Sequence, residues 1–275
     1  PRGFAIMWKT NPQTKLSSRG ESGMPAKTPM TYIKGVYFWI MFPLVTLFWF
    51  GAVLLTKLYE AVVQAPGDGK AFHRIASLWS QSILTLMPGW RVEVSGRENL
   101  PPADKPFVIV ANHESMSDIW ALYYLGLQFR WLAKESVFRY PIIGQSMRWA
   151  GYVPIKRGDK NSHIAALDQS ATILRSGISM FFFPEGTRST DGKIKAFKIG
   201  AFKMARECQV DILPVALHGA GQLVPKGSKL PGSSTIKVKV LPPMKLEQTD
   251  LEQEAARIRE VIVAAHQELS GGKSS

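Results

Sequence analysis

Cysteine is nearly absent: Cys208 is the only one in 275 residues, which excludes an internal disulfide. The five histidines fall into no H-E-x-x-H spacing and there is no C-x-x-C, so no protein-built zinc site is expected. No G-x-S-x-G occurs, which removes the nucleophile elbow of a serine hydrolase. A P-loop is missing as well. Residues 186–193 imitate one, but they place five residues between the glycines and are followed by Ile194 where Ser or Thr is required. Acidic residues are scarce, 21 against 34 Lys and Arg, and the formal charge of +13 calls for an anionic partner. That partner is a nucleic acid, an anionic membrane face or a phosphorylated substrate.

What the chain does have is 45% hydrophobic residues, enough for a sizeable core in one large domain or two small ones. Residues 1–31 are polar, rich in Ser, Gly, Pro and Lys, and are expected to form a disordered leader, with Met24 and Met30 as candidate starts. Residues 32–88 read as a membrane-anchoring helical segment. Within it, residues 35–56 run for 22 positions without a charge, flanked by Lys34 and Lys57. That length spans a hydrocarbon core of about 30 Å. A cleaved signal peptide has a shorter apolar region, roughly 7–15 residues, close to its cleavage site, so a retained anchor is expected. Lys and Arg are balanced on its two sides, which leaves orientation open and sets a re-entrant hairpin beside a spanning helix. The next pattern, Phe72, Ile75, Ala76, Trp79, Ile83 and Leu86, forms one face of a helix. Such a helix either lies in the membrane interface or docks on the rest of the protein.

From residue 89 onward, short apolar runs alternate with helical patterns. Strands are predicted at 90–94, 107–110, 129–133, 152–155, 179–183, 212–217 and 235–240, and helices at 162–175, 197–207 and 251–269. This alternation implies an α/β fold with a mixed, largely parallel sheet flanked by helices. Ligands of such sheets gather at the carboxyl ends of the strands, and two chemically loaded stretches follow predicted strands there.

The first is Asn112-His113-Glu114-Ser115-Met116-Ser117-Asp118. A helix should follow, capped by Ser115 or Ser117, with Ile119, Trp120, Leu122, Tyr123 and Leu125 on its apolar face. His113 then sits in a loop and Asp118 in the first helical turn. There the carboxylate accepts a hydrogen bond from one imidazole nitrogen and leaves the other facing outward as a base. A strand-end His beside an Asp placed for the helix dipole would look the same in isolation. The second stretch is Phe183-Pro184-Glu185-Gly186-Thr187-Arg188-Ser189. Gly186 permits close backbone approach, Thr187 offers a hydroxyl, and Arg188 a planar fork suited to phosphate oxygens. Lys193, Lys195, Lys198 and Lys203 follow, as a phosphate-attracting rim or a solvated face. His163 and His218 are expected to be structural.

Taken together, N-H-x-S-x-x-D and F-P-E-G-T-R-S resemble the glycerophospholipid acyltransferases, in particular the 1-acyl-sn-glycerol-3-phosphate acyltransferases. Residues 134–157 resemble that family's second block and Leu213-Pro214-Val215-Ala216 its fourth, so the likeness runs over about residues 90–240 in the family's order. It does not reach residues 1–31. The resemblance implies a glycerolphosphate acyltransferase-like sandwich over residues 89–275, serving as the catalytic domain. His113 would be the catalytic base, Asp118 its orienting partner, and Lys134 a cation near the developing oxyanion. Glu185, Gly186, Thr187 and Arg188 would hold the acceptor's glycerol phosphate, and Arg157, beside Lys156, would reach an acidic group of either substrate. Pro141, Gly144 and Gly151 are expected to shape the backbone. The implied partners are lysophosphatidic acid, acyl-CoA or acyl carrier protein, and a membrane bilayer with the catalytic domain on its cytoplasmic side. Neither nucleic acid nor cofactor is implied. Two rival readings keep part of this: an acyltransferase acting on another lyso-lipid such as a lyso-ornithine lipid, or a catalytically silent binder of anionic lipid.

Overall fold

The apolar runs with the fewest polar interruptions lie at the centre of a seven-stranded sheet. The computed structural model describes residues 28–65, 67–102, 105–189, 192–224, 228, 230–247 and 250–271. Its central strands are β2 (Val108–Ala111), β5 (Ser179–Phe182) and β6 (Ile212–His218), in which every residue but His218 is buried. Around them stand β1 (Trp90–Ser95), β3 (Phe129–Lys134), β4 (Val153–Ile155) and β7 (Ser234–Val240), in the order β1-β7-β6-β2-β5-β3-β4. Only β6 and β7 pair antiparallel. All seven strands expected from the sequence are present, and the sheet is largely parallel, with its apolar central strands buried on both faces.

Alternate residues of β2 feed two cores. Val108 and Val110 pack with Phe202, Ile258 and Ile262 from α6 (Gly200–Glu207) and α7 (Leu251–Leu269), beside α5 (Lys160–Arg175). Ile109 and Ala111 face the other way, toward α3 (Ser117–Leu122) and two N-terminal helices. One helix escaped the sequence reading, α4 (Pro141–Trp149), whose Pro141 occupies its first turn. Gly144 within it lies so close to the Phe138 carbonyl that any side chain there would collide with it.

The N-terminal helices are α1 (Pro29–Val62) and α2 (Lys70–Leu86). Thr28 caps α1 by accepting from the Thr31 N–H, so the helix takes in the last three residues of the expected leader; residues 1–27 lie outside the described residues. At 34 residues α1 is about 51 Å long, and only 17% of its most apolar window is buried, unlike the core helix of a soluble protein. Trp49 Nε1 donates to Ser82 Oγ (3.1 Å) and Trp79 Nε1 to Thr46 Oγ1 (3.0 Å), tying α1 to α2. The sequence left two positions open for α2, and the structure shows it docked: Phe72, Ile83 and Leu84 are buried and Ser80 donates to the Trp120 carbonyl.

His73 anchors that docking through a one-way chain of hydrogen bonds. Trp131 Nε1 donates to the Tyr123 hydroxyl (3.0 Å), which lies 2.8 Å from the Tyr152 hydroxyl. Tyr152 lies 2.9 Å from His73 Nδ1, and His73 Nε2 is 3.0 Å from the Leu127 carbonyl. The carbonyl can only accept, so Nε2 carries the proton and Nδ1 receives the Tyr152 O–H. A neutral ring satisfies every link. Burial first, and Arg130 second, push the His73 pKa down to about 3. Because the folded value lies below the unfolded one of about 6.5, this group costs nothing above pH 6.5 and destabilises the fold as pH falls from there toward 3. Between pH 7 and pH 5 the loss should be about 2 kcal/mol. Denaturant midpoints at the two pH values check it: the shift should be smaller in His73→Phe than in the wild type, and equal shifts would contradict it.

Candidate active site

β2 carries the chain to the carboxyl edge of the sheet, where the next two residues are held by both neighbouring strands. On the β6 side, Asn112 Nδ2 donates to the Leu217 carbonyl (2.9 Å) and Oδ1 accepts from the Leu217 N–H (2.8 Å). On the β5 side, the His113 N–H donates to Glu185 Oε1 (2.8 Å) and the His113 carbonyl accepts from the Ser189 N–H (2.8 Å). The backbone of His113 is therefore fixed before its ring is considered.

The ring is fixed in turn by Asp118 and Phe183. Asp118 Oδ2 lies 2.7 Å from His113 Nδ1 and also accepts the N–H groups of Glu114 (2.7 Å) and Ser115 (2.9 Å). An oxygen facing two backbone donors is best served as a carboxylate, which places the imidazole proton on Nδ1 and leaves Nε2 with a free lone pair. Full burial pushes the Asp118 pKa up, opposed first by the hydrogen bond and charge of His113. Neither Ser115 nor Ser117, expected to cap α3, occupies its N-cap, which is Met116, and Ser115 Oγ meets the Ser117 N–H only at 3.5 Å. Their buried hydroxyls donate to the Val224 (3.3 Å) and Ala220 (2.8 Å) carbonyls of the segment after β6, and Asp118 reaches back to the loop N–H groups in their place. The Phe183 ring stacks on His113 with centroids 4.0 Å apart and planes 14° apart, and Trp131 backs Phe183. A cation forming on the imidazole would meet that aromatic face favourably. Phe183 stood in the sequence motif with no role attached to it.

Glu185 is buried, with Oε1 on the His113 N–H and Oε2 on the Lys195 N–H (3.0 Å). Burial raises its pKa against those two backbone donors. Both oxygens are thus engaged by the protein, and the side chain joins the His113 loop to the turn after β5. In that turn Gly186 has φ +71°, and a Cβ there would fall 2.9 Å from Lys198 Nζ. Lys195 Nζ donates to Thr187 Oγ1 and to the Arg188 carbonyl, both at 3.2 Å, while Arg259 on α7 donates to the Ile194 and Lys195 carbonyls. Part of the predicted lysine rim therefore shapes the turn. Thr187 and Arg188 are exposed, and among the described residues the Arg188 guanidinium makes no hydrogen bond or ion pair.

Lys134 ends β3, exposed, two strands from β2 in the order β2-β5-β3, or about 10 Å along the edge. Arg157 is exposed just beyond β4, one strand further, at about 14 Å. The structure thus joins His113, Asp118 and Glu185 by direct hydrogen bonds, carries Gly186, Thr187 and Arg188 beside them, and spaces Lys134 and Arg157 outward along one edge. On the β6 side of the same loop, Glu114, His218 and His266 bring their donor atoms within 4.8 Å of one another, a set able to hold a metal ion.

A family model described as Acyltransferase matches residues 91–218, which include His113, Asp118 and the 183–189 turn. The chloroplastic 1-acyl-sn-glycerol-3-phosphate acyltransferase LPAT1 of Arabidopsis thaliana is 36% identical over 218 residues, 79% of this chain and 57% of that protein. A 1-acyl-sn-glycerol-3-phosphate acyltransferase of Chlamydomonas reinhardtii is 45% identical over 179 residues, 64% of this chain and 53% of that protein. The one from Borreliella burgdorferi is 30% identical over 191 residues, 68% and 73% of the respective chains. The chain thus spans a little over half the length of the plant and algal relatives. Among solved structures, the crystal structure of the 1-acyl-sn-glycerophosphate (LPA) acyltransferase PlsC from Thermotoga maritima superposes with a TM-score of 0.76 at 26% identity, covering 90% of this chain and 98% of that one.

Proposed function

We propose that this chain, which belongs to the 1-acyl-sn-glycerol-3-phosphate acyltransferase family, moves an acyl group from a thioester of coenzyme A or acyl carrier protein to the sn-2 hydroxyl of 1-acyl-sn-glycerol-3-phosphate, giving phosphatidic acid. The observation that carries this reading is the His113–Asp118 pair, set rigidly at the sheet edge beside a turn that presents an exposed Arg188. His113 Nε2 takes the proton of the attacking hydroxyl while its oxygen bonds to the thioester carbonyl carbon. The tetrahedral intermediate then collapses, the C–S bond breaks, and the leaving thiolate takes the proton back from the imidazolium. Asp118 and the Phe183 face stabilise that imidazolium. In this reading Lys134 supplies a cation toward the developing oxyanion, and Arg188, with Gly186 and Thr187, receives the acceptor's phosphate. Glu185 serves this turn by positioning it. Arg157 is far enough along the edge to meet an acidic group at the remote end of a substrate.

The apolar, exposed side of α1 supports a membrane anchor within residues 32–88; in this reading residues 89–275 form the catalytic domain and face the cytoplasm, where a coenzyme A or acyl carrier protein thioester would be met. An apolar groove of about 310 Å³ between Phe42, Leu47, Tyr140 and Ile142 opens where α1 meets the start of α4, suited to lipid chains. Membrane association should survive high salt, because burial of apolar surface is not screened whereas attraction by Lys and Arg is. Fractionation in 1 M salt, roughly a 3 Å Debye length, checks this: release into the soluble fraction would contradict it. The reading as a whole is tested by offering the purified protein lysophosphatidate and a lyso-ornithine lipid in parallel, with both thioester donors.

A further inference from the structure

Beside the His113 loop, three side chains from distant parts of the chain converge on one point. Glu114 follows β2, His218 ends β6, and His266 lies in the last turn of α7. His266 Nε2 is 2.9 Å from Glu114 Oε1 and 3.4 Å from His218 Nδ1, and His218 Nδ1 is 3.8 Å from Glu114 Oε1. We propose that these three donors hold a divalent transition-metal ion, with Zn²⁺ as the representative case.

The triangle has the right size. A tetrahedral ion with bonds of about 2.0–2.1 Å separates its ligand atoms by ~3.4 Å, and the three observed edges bracket that length. Hydrogen bonding alone explains the cluster poorly. One proton on His266 Nε2 serves Glu114, but His218 Nδ1 is then left with a long contact of 3.4 Å to a nitrogen that is already donating and lies 3.8 Å from the carboxylate, the outer end of hydrogen-bond and ion-pair range. An ion accounts for all three donor atoms pointing inward. The carboxylate is already oriented for one bond: Glu114 Oε2 receives the Gly221 N–H at 3.3 Å, which leaves Oε1 turned to the histidines. The backbone beneath it is held too, since the Glu114 N–H donates to Asp118. Side-chain exposures of 15% for Glu114 and His266 and 30% for His218 leave one side open for a solvent ligand. Lys237, the cation nearest His218 on β7, turns its ammonium to the Leu269 carbonyl at 3.1 Å.

Two imidazoles and one carboxylate suit Zn²⁺ and its neighbours better than Mg²⁺ or Ca²⁺, which favour oxygen. The site lies on the β6 flank of β2, whereas Phe183 and Glu185 hold His113 from the β5 flank, so the ion belongs to the support of the loop and not to the reacting atoms. It would clamp α7 to the His113 loop across 152 residues of sequence. That separation is why short-range spacing motifs missed it.

Co²⁺ titration of the untagged, chelator-treated full chain in detergent tests the site, read by the visible bands of tetrahedral Co²⁺. One Co²⁺ should bind per chain, Zn²⁺ should displace it, and saturating Zn²⁺ should raise the unfolding temperature. His218→Ala and His266→Ala should each abolish the bands with far-UV circular dichroism unchanged, and His163→Ala should leave them intact. If a His variant fails to fold, Glu114→Gln carries the comparison and should weaken Co²⁺ at least tenfold. Wild-type protein that shows no tetrahedral bands at stoichiometric Co²⁺, or bands that persist in every folded variant of the three ligands, would overturn the proposal.

Discussion

His113→Ala should lower acyl transfer by about 10²- to 10⁴-fold or more while leaving the fold in place. The backbone of His113 is held by Glu185 and Ser189 whatever its side chain, and Asp118 keeps two N–H donors when the ring is gone. The substitution therefore removes the base without releasing the loop. Asp118→Asn should be nearly as damaging for a different reason. An amide can still accept the two N–H groups through its oxygen, but it carries no charge to stabilise the imidazolium as the hydroxyl proton arrives. Turnover at saturating substrate, with circular dichroism on the same samples, separates chemistry from folding. Wild-type turnover in His113→Ala would remove His113 from the mechanism and leave the presence of activity itself unexplained.

Arg188→Ala should raise the KM for lysophosphatidate by about one to two decades while the thioester KM moves little. An Arg–phosphate hydrogen bond to a charged group contributes about 1.5–3 kcal/mol, and each 1.4 kcal/mol is about tenfold in affinity. Arg188 is exposed and its carbonyl is held by Lys195, so its loss should leave the turn as it is. Arg188→Lys should recover part of the affinity, since an ammonium keeps the charge but not the two-pronged geometry. Initial-rate kinetics varying one substrate at a time check both variants. An unchanged acceptor KM would contradict the assignment of the phosphate to this turn.

The strands were legible because a strand buried on both faces is written as a short apolar run, and β2, β5 and β6 are such runs. The His113–Asp118 hydrogen bond was legible because five residues of loop and helix start determine it locally. What sequence could not supply were the partners that depend on strand order. Glu185 meets the His113 N–H only because β5 lies beside β2, and Asn112 meets Leu217 only because β6 lies on the other side. The same applies to the Phe183 stack and to the convergence of Glu114, His218 and His266. Ser115 and Ser117 misled for a related reason: a hydroxyl that would cap a helix in isolation is drawn off by carbonyls that tertiary structure brings against it. α4 was missed because Pro141 and Gly144 were legible only as residues that shape the backbone, whereas Pro141 starts the helix and Gly144 lets it approach Phe138.

The central claim is that this site transfers acyl groups to a phosphate-bearing acceptor read by Arg188. A lyso-ornithine lipid offers the same kind of acyl acceptance without a phosphate, so an enzyme built for it has no equal dependence on that side chain. The direct measurement is kcat/KM of the wild type and Arg188→Ala on lysophosphatidate and on the lyso-ornithine lipid, with the thioester held saturating. The wild type should prefer lysophosphatidate, and the substitution should erase about one to two decades of that preference. A wild type that prefers the lyso-ornithine lipid, or an Arg188→Ala enzyme with unchanged lysophosphatidate kinetics, would contradict the account.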